Sequence, residues 1–214
     1  MNNARVIVVI CPHRPEALLN QALLGHVGWG YEYPDGTWCI GGVEGVDWQG
    51  ISNGFWVKHA PNLDIALTYF SQMKYIFDTE YDYYKLLSVS KEVKANWEYA
   101  DKVVAWIKTQ KYNLFGRNCM NSTYDILCAY ASSYNDKTLA SPHFNWIPNG
   151  WFNTIETDEY YFLPSVKEQN FTNLQDLKLT EEIQVPQWRK GKLLATTEEE
   201  AQWEEQVFIA PKKI

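Results

Sequence analysis

No apolar run in this 214-residue chain approaches the roughly 20 residues that cross a bilayer, so no membrane-spanning helix is expected. The run Val6-Ile7-Val8-Val9-Ile10 is too short for the apolar core of a secretory signal, and Cys11-Pro12 ends it. A cytoplasmic protein is the simpler expectation, with export by a signal-less route left open. Positive charge is short too. Nineteen Lys and Arg stand against 26 Asp and Glu, for a formal net charge of −7. That balance excludes the basic face of a general nucleic-acid binder and electrostatic attachment to anionic lipid. No Cys-x-x-Cys and no other metal-ligand spacing occurs, so neither metal nor cofactor is expected. Gly41-Gly42-Val43-Glu44-Gly45 lacks the lysine and the helix start that a phosphate loop needs. Internal repeats and low-complexity tracts are absent.

Aromatic residues are plentiful: ten Trp, fourteen Tyr and nine Phe. They supply a sizeable core, and could also line a cleft. Cys11, Cys39, Cys119 and Cys128 are even in number, but a chain of this size has no need of disulfide staples. Cys119 and Cys128, nine apart, fall on opposite sides of one helix and cannot pair there. The sequons at Asn121 and Asn170 are read as chance matches without an export signal.

Val6–Ile10 reads as a buried strand. Leu24–Tyr33, the turn Pro34-Asp35-Gly36 and Thr37–Val43 read as a hairpin, proline presetting φ and glycine taking the left-handed position. Phe55–His59 reads as a third member of that sheet. Asn62 caps a helix carrying Leu63, Ala66, Leu67, Phe70, Met73 and Phe77 on one stripe. Tyr83–Val89 reads as a strand. Ser90 is read as the cap of a helix with Val93, Trp97, Ala100, Val104 and Ile107 in line. A third helix runs from about Cys119 to about Ser132. The aromatic, proline-broken stretch Ser141–Phe152 is expected as an ordered loop, and Thr197–Ala201 as a short helix or solvated tail. The organisation expected is one domain over residues 1–155, with residues 156–214 as a C-terminal extension packed on it.

Cys119 follows Tyr112-Asn113-Leu114-Phe115-Gly116-Arg117-Asn118 and opens the third helix. Unbonded N–H groups and the positive dipole end of a helix favour thiolate over thiol. The apolar stripe of that helix is Met120, Tyr124, Leu127, Cys128 and Ala131, and Cys119 lies outside it. Two readings therefore stand, a nucleophile or a packing cysteine. His26, between Gly25 and Gly28, is either a base or a core histidine bonded to backbone. His59 is the rival base; His13 and His143 sit beside prolines in loops. An orienter for His26 is sought in Glu44, across the hairpin, or Glu32, on the same strand parity. Tyr112 and Asn118 could hold a developing oxyanion or serve as structural hydrogen bonders. A carboxylate pair for glycoside chemistry has no sequence spacing and stays open.

Gly25-His26-Val27-Gly28-Trp29, a hairpin ending Val43-Glu44, and Tyr112–Cys119 with its helix together resemble the circularly permuted branch of the NlpC/P60 superfamily. That branch shares the papain-like fold, with the histidine strand before the cysteine helix, the order seen here. Ile147-Pro148-Asn149-Gly150-Trp151-Phe152 is similar to the tail of some members. The resemblance covers about Gly25 to Phe152. It implies an α+β permuted papain-like domain, an antiparallel sheet packed on helices, with Cys119 as nucleophile and His26 as base. The family's third residue is a polar group on the strand after the histidine, and only Glu44 is placed to serve. The implied activity is that of a thiol hydrolase, a peptidase or amidase on a peptide or amide bond. Alternatives are an acyltransferase or thioesterase on lipid acyl groups, to which the aromatic stretch Phe144–Phe152 is suited, or a catalytically lapsed binding protein.

Overall fold

Five consecutive β-branched residues at 6–10 have one strongly preferred rotamer each and pack well on a pleated surface, which makes them the natural centre of a sheet. In the computed structural model they form β1 (Arg5–Cys11), which pairs antiparallel with a strand on either side. The structure describes residues 4–16, 22–44, 54–74, 79–89, 94–112, 117–135, 139–142, 145–157 and 160–165, with 188–189 and 192–193. Two-residue strands β2 (Pro15–Glu16) and β3 (Ala22–Leu23) form a small separate pair. β4 (His26–Glu32) and β5 (Trp38–Val43) form the expected hairpin. At its turn Gly36 has φ +87° and donates to the Tyr33 carbonyl at 2.9 Å. β6 (Phe55–Ala60) extends the hairpin, β7 (Tyr83–Ser88) pairs with β1, and β8 (Tyr161–Phe162) pairs with β7. The result is a six-stranded antiparallel sheet in the order β6-β5-β4-β1-β7-β8. β9 (Trp188–Arg189) and β10 (Lys192–Leu193) pair only with each other.

Period-two alternation along β1 divides the core. Val6, Val8 and Ile10 face one hydrophobic cluster, whereas Ile7, Val9 and Cys11 face another. α1 (Leu63–Gln72) covers the second face with Ala66, Leu67 and Phe70, and its cap is Asn62, whose side chain accepts from Ile65 N–H at 2.9 Å. The first face carries α2 (Trp97–Lys108), α3 (Cys119–Tyr130) and α4 (Pro148–Thr154). The chain is therefore α+β, a six-stranded antiparallel sheet with four α-helices among the described residues.

Two expectations need correction. α2 is capped by Asn96, which accepts from Tyr99 N–H at 3.1 Å, and residues 94–96 are not helical, so the helix does not start at Ser90. Both serine and asparagine are good caps; the one that serves lies three residues before Tyr99, the first buried residue of the helix. The stretch expected as a loop contains α4, because Pro148 stands in its first turn, where a missing N–H does no harm. Trp151 and Phe152 of that helix lie in the core. Phe77, Ser90, Val93, the 113–116 segment, His143, Phe144, Asn170 and Thr197–Ala201 lie outside the described residues.

Candidate active site

His26 is the first residue of β4 and is 4 % exposed. Its placement depends on Gly25, which has φ +84°, a conformation that favours glycine. A Cβ there would fall 2.1 Å from Asn149 Oδ1. The close approach lets Asn149 N–H donate to the Leu24 carbonyl at 3.1 Å and Asn149 Nδ2 to the Pro12 carbonyl at 3.0 Å. The start of α4 is thereby tied to the ends of β1 and β4 beside the imidazole.

Cys119 is the first residue of α3. Asn118 Oδ1 accepts from the N–H groups of Met120 and Asn121, both at 3.0 Å, and the Asn118 carbonyl accepts from Ser122 at 3.1 Å. The Cys119 N–H is the remaining donor of that first turn. The sulfur receives a hydrogen bond from the Val27 main-chain N–H, and the His26 side chain is hydrogen-bonded to it. Cys119 is buried, as are most residues of α3, so lying outside the apolar stripe did not mean exposure. The head of the helix is tucked against β4, which the stripe alone does not reveal.

Glu44 stands on the other side of the imidazole, with Oε2 3.1 Å from His26 Nε2 and its side chain wholly shielded from solvent. The geometry is that of an ion pair rather than a linear hydrogen bond. Four further side chains fix the carboxylate. Arg14 Nη1 donates to Oε2 at 3.0 Å and Thr79 Oγ1 at 2.8 Å. Trp56 Nε1 donates to Oε1 at 2.7 Å and Tyr81 Oη at 3.0 Å. Arg14 also bonds the Glu44 carbonyl at 3.0 Å and contacts Thr79. Tyr81 packs its ring 5.9 Å from that of His26.

Burial opposes charge on every member of this group, and the partners outweigh it. Burial works against imidazolium at His26, yet the Glu44 carboxylate and then Cys119 raise its pKa to about 9. Burial likewise opposes ionisation of Glu44, but His26, Arg14 and the Trp56 indole hold it down at about 2. For Cys119 burial is outweighed by the charge and hydrogen bond of His26 and by the Val27 N–H, and the thiol pKa is lowered. At Cys11 and Cys39 burial wins, pushing them up to about 11 and about 12 in spite of Arg14 near the first and a Tyr31 hydrogen bond to the second. All four cysteines are free and buried, so burial alone does not single out Cys119.

Glu32 is held elsewhere: Arg5 Nε and Nη2 donate to it at 2.9 and 2.6 Å, at the opposite end of β4 from His26. His59 is exposed, pairs in register with Cys39 and sits 3.2 Å from Tyr33 Oη. His13 is also exposed, with Asp82 3.9 Å away. Asn118 is the helix cap; an asparagine directly before a helix start is itself the sequence signal for that role. Tyr112 packs against the main core cluster. Sequence reasoning missed Arg14, Trp56, Thr79 and Tyr81, which come from three separate segments, only Thr79 and Tyr81 being neighbours in sequence.

No family model, no curated protein and no solved structure matches the chain.

Proposed function

We propose that this protein is a cysteine hydrolase of the peptidase or amidase type on a circularly permuted papain-like domain. The observation that carries the reading is the meeting of Cys119, His26 and Glu44, with the thiol pKa lowered at Cys119 while burial raises it at Cys11 and Cys39. In the proposed mechanism the Cys119 sulfur attacks the carbonyl carbon of an amide. The developing oxyanion is met by the Cys119 N–H at the head of α3. His26 gives its proton to the leaving amine as the C–N bond breaks, which leaves a thioester. Water attacks the thioester with His26 as base, the acid departs, and the proton returns to the dyad. Glu44 holds the ring and stabilises the imidazolium without taking its proton. The reading fits the resemblance to the permuted NlpC/P60 branch, with the histidine strand before the cysteine helix.

A lipid acyl donor draws less support. Trp151 and Phe152 of the aromatic stretch are buried, and Trp146 is its exposed large side chain among the described residues. The test is alkylation of the native protein by iodoacetamide from about pH 4 to 9, read by peptide mass mapping on wild type and His26→Ala. Cys119 is expected to react below the ordinary thiol pKa of about 8.5 and to lose that advantage in the variant. Reaction no faster than at Cys11, in both proteins, overturns the reading.

A further inference from the structure

A cavity of about 320 Å³ is lined by Ile10, Pro12, Lys85, Asn149, Phe152 and Asn153 among others, and two of these walls contact residues next to the dyad. Its position follows from strand register. Val27, whose N–H reaches the Cys119 sulfur, pairs directly with Ile10 on β1, and Ile10 lines the cavity. Neighbouring strands lie about 4.8 Å apart, so the wall residue Ile10 is one strand away from Val27. Asn149, another wall residue, packs on Gly25, next to His26. The size is at the low end of small-molecule sites, room for one residue or short acyl group.

Lys85 gives this cavity its chemistry. It is 6 % exposed, and Nζ donates to the Phe152 and Ile155 carbonyls at 3.0 and 2.9 Å, which closes the C-terminal end of α4. A lysine has three N–H donors, and among the described residues no carboxylate faces it. The Phe152 ring, 5.1 Å from Nζ, adds a cation–π contact, but neither it nor the neutral carbonyls is a counterion, and buried charges are as a rule paired. Burial lowers its pKa accordingly.

We propose that this cavity is the subsite for a substrate residue bearing a carboxylate next to the scissile amide, with Lys85 as the counter-cation. The proposal rests on the cysteine-hydrolase reading and names the substrate class for it: a peptide with an acidic or C-terminal residue beside the bond that breaks.

The experiment compares N-chloroacetyl-leucine with N-chloroacetyl-leucinamide, which differ by carboxylate against amide, in alkylation of Cys119. The sulfur displaces chloride in both, and each rate is taken relative to iodoacetamide on the same protein. The carboxylate probe is expected to be faster on the order of tenfold, as a hydrogen bond to a charged group allows. The net charge of −7 would by itself slow an anion, so a preference in this direction comes from a local cation. Lys85→Met should abolish the preference and Lys85→Arg should retain it. Because Lys85 also closes α4, the exposed wall residue Asn153 provides a second variant: Asn153→Trp fills the cavity from its rim and should also abolish the preference. Equal rates for the two probes, or a preference that survives both Lys85→Met and Asn153→Trp, overturn the subsite. If iodoacetamide shows no fast, His26-dependent reaction, the hydrolase reading falls instead. Calorimetric binding of N-acetyl-leucine against N-acetyl-leucinamide to Cys119→Ala then decides the cavity by itself, and equal affinities sink it.

Discussion

Glu44 Oε2 lies 3.1 Å from His26 Nε2 in a place that water does not reach. Around this contact groups of opposite charge preference alternate: the Arg14 cation, the Glu44 carboxylate held down at about 2, the His26 imidazole raised to about 9, and the Cys119 thiol with its pKa lowered. Each of these would be costly to bury alone, because desolvation of a single ion outweighs most attractions. In a row they compensate one another, and Thr79, Trp56 and Tyr81 supply hydrogen bonds to the remaining carboxylate lone pairs. The site is thus held by charge order as much as by packing.

Glu44→Gln removes one charge from the row and keeps the size. His26 then loses the largest contribution that raises its pKa, and the imidazolium that lowers the Cys119 pKa persists over a narrower pH range. The Glu44 charge itself opposes a thiolate, but the His26 charge and hydrogen bond outweigh it, so the pH at which iodoacetamide begins to modify Cys119 should move upward. An unchanged profile in a folded variant would separate Glu44 from the dyad.

Stability carries the same signature at acid pH. The carboxyl of Glu44 titrates near 2 in the folded protein against an ordinary 4.5, so the native state binds fewer protons between those values. Its contribution is present above about pH 4.5 and is lost as pH falls toward 2. Wild-type protein should lose on the order of 3 kcal/mol across that window from this group alone. Urea unfolding at several pH values should show a steeper acid limb for wild type than for Glu44→Gln.

The elements legible in sequence were those whose local chemistry and tertiary burial agree. The β-branched run of β1, the Pro-Asp-Gly hairpin and the Asn62 cap all belong to this class. Boundaries failed where two signals of equal local strength competed. Serine and asparagine are both favoured cap types, and the sequence around Ser90 and Asn96 does not by itself decide between them. Glu32 and Glu44 were equally eligible until β4 placed Glu32 at its far end, on Arg5. Pro148 read as a breaker although it suits a helix start. Arg14 and Lys85 had no local signal at all, because what distinguishes each is the partners that folding brings to it: Glu44 and Thr79 for Arg14, the Phe152 and Ile155 carbonyls for Lys85.

Gly25→Ala should disturb the dyad without touching it. Alanine adds a methyl 2.1 Å from Asn149 Oδ1 and must hold φ +84°, which together should lower stability by about 1–3 kcal/mol. The start of β4 and the head of α4 would shift apart, and Cys119 alkylation near neutral pH should slow. Adding Asn149→Ala relieves the steric contact but not the backbone strain, so stability should recover only in part. Full recovery would show that the left-handed conformation at Gly25 is unimportant.

A second buried carboxylate works in the opposite sense to Glu44. Asp125, on α3, is 3.7 Å from Arg117, whose guanidinium lies 3.9 Å from the centre of the Trp106 ring. Burial raises the Asp125 pKa to about 7 in spite of the arginine, against an ordinary 3.8. The folded protein therefore binds more protons than the unfolded chain between about pH 4 and 7, and stability from this group falls as pH rises through that window. Asp125→Asn removes the slope. The stability of the variant relative to wild type should climb between pH 4 and 7, by on the order of 4 kcal/mol at most, whatever constant offset arises at Arg117. With Glu44 favouring pH above about 4.5 and Asp125 favouring pH below about 4, these two groups place the stability maximum of wild type between about pH 4 and 5. In Asp125→Asn the maximum should broaden toward neutrality, and chemical denaturation at half-unit pH steps on both proteins measures it directly. A maximum that stays in place would mean that Asp125 ionises in the fold as easily as in water.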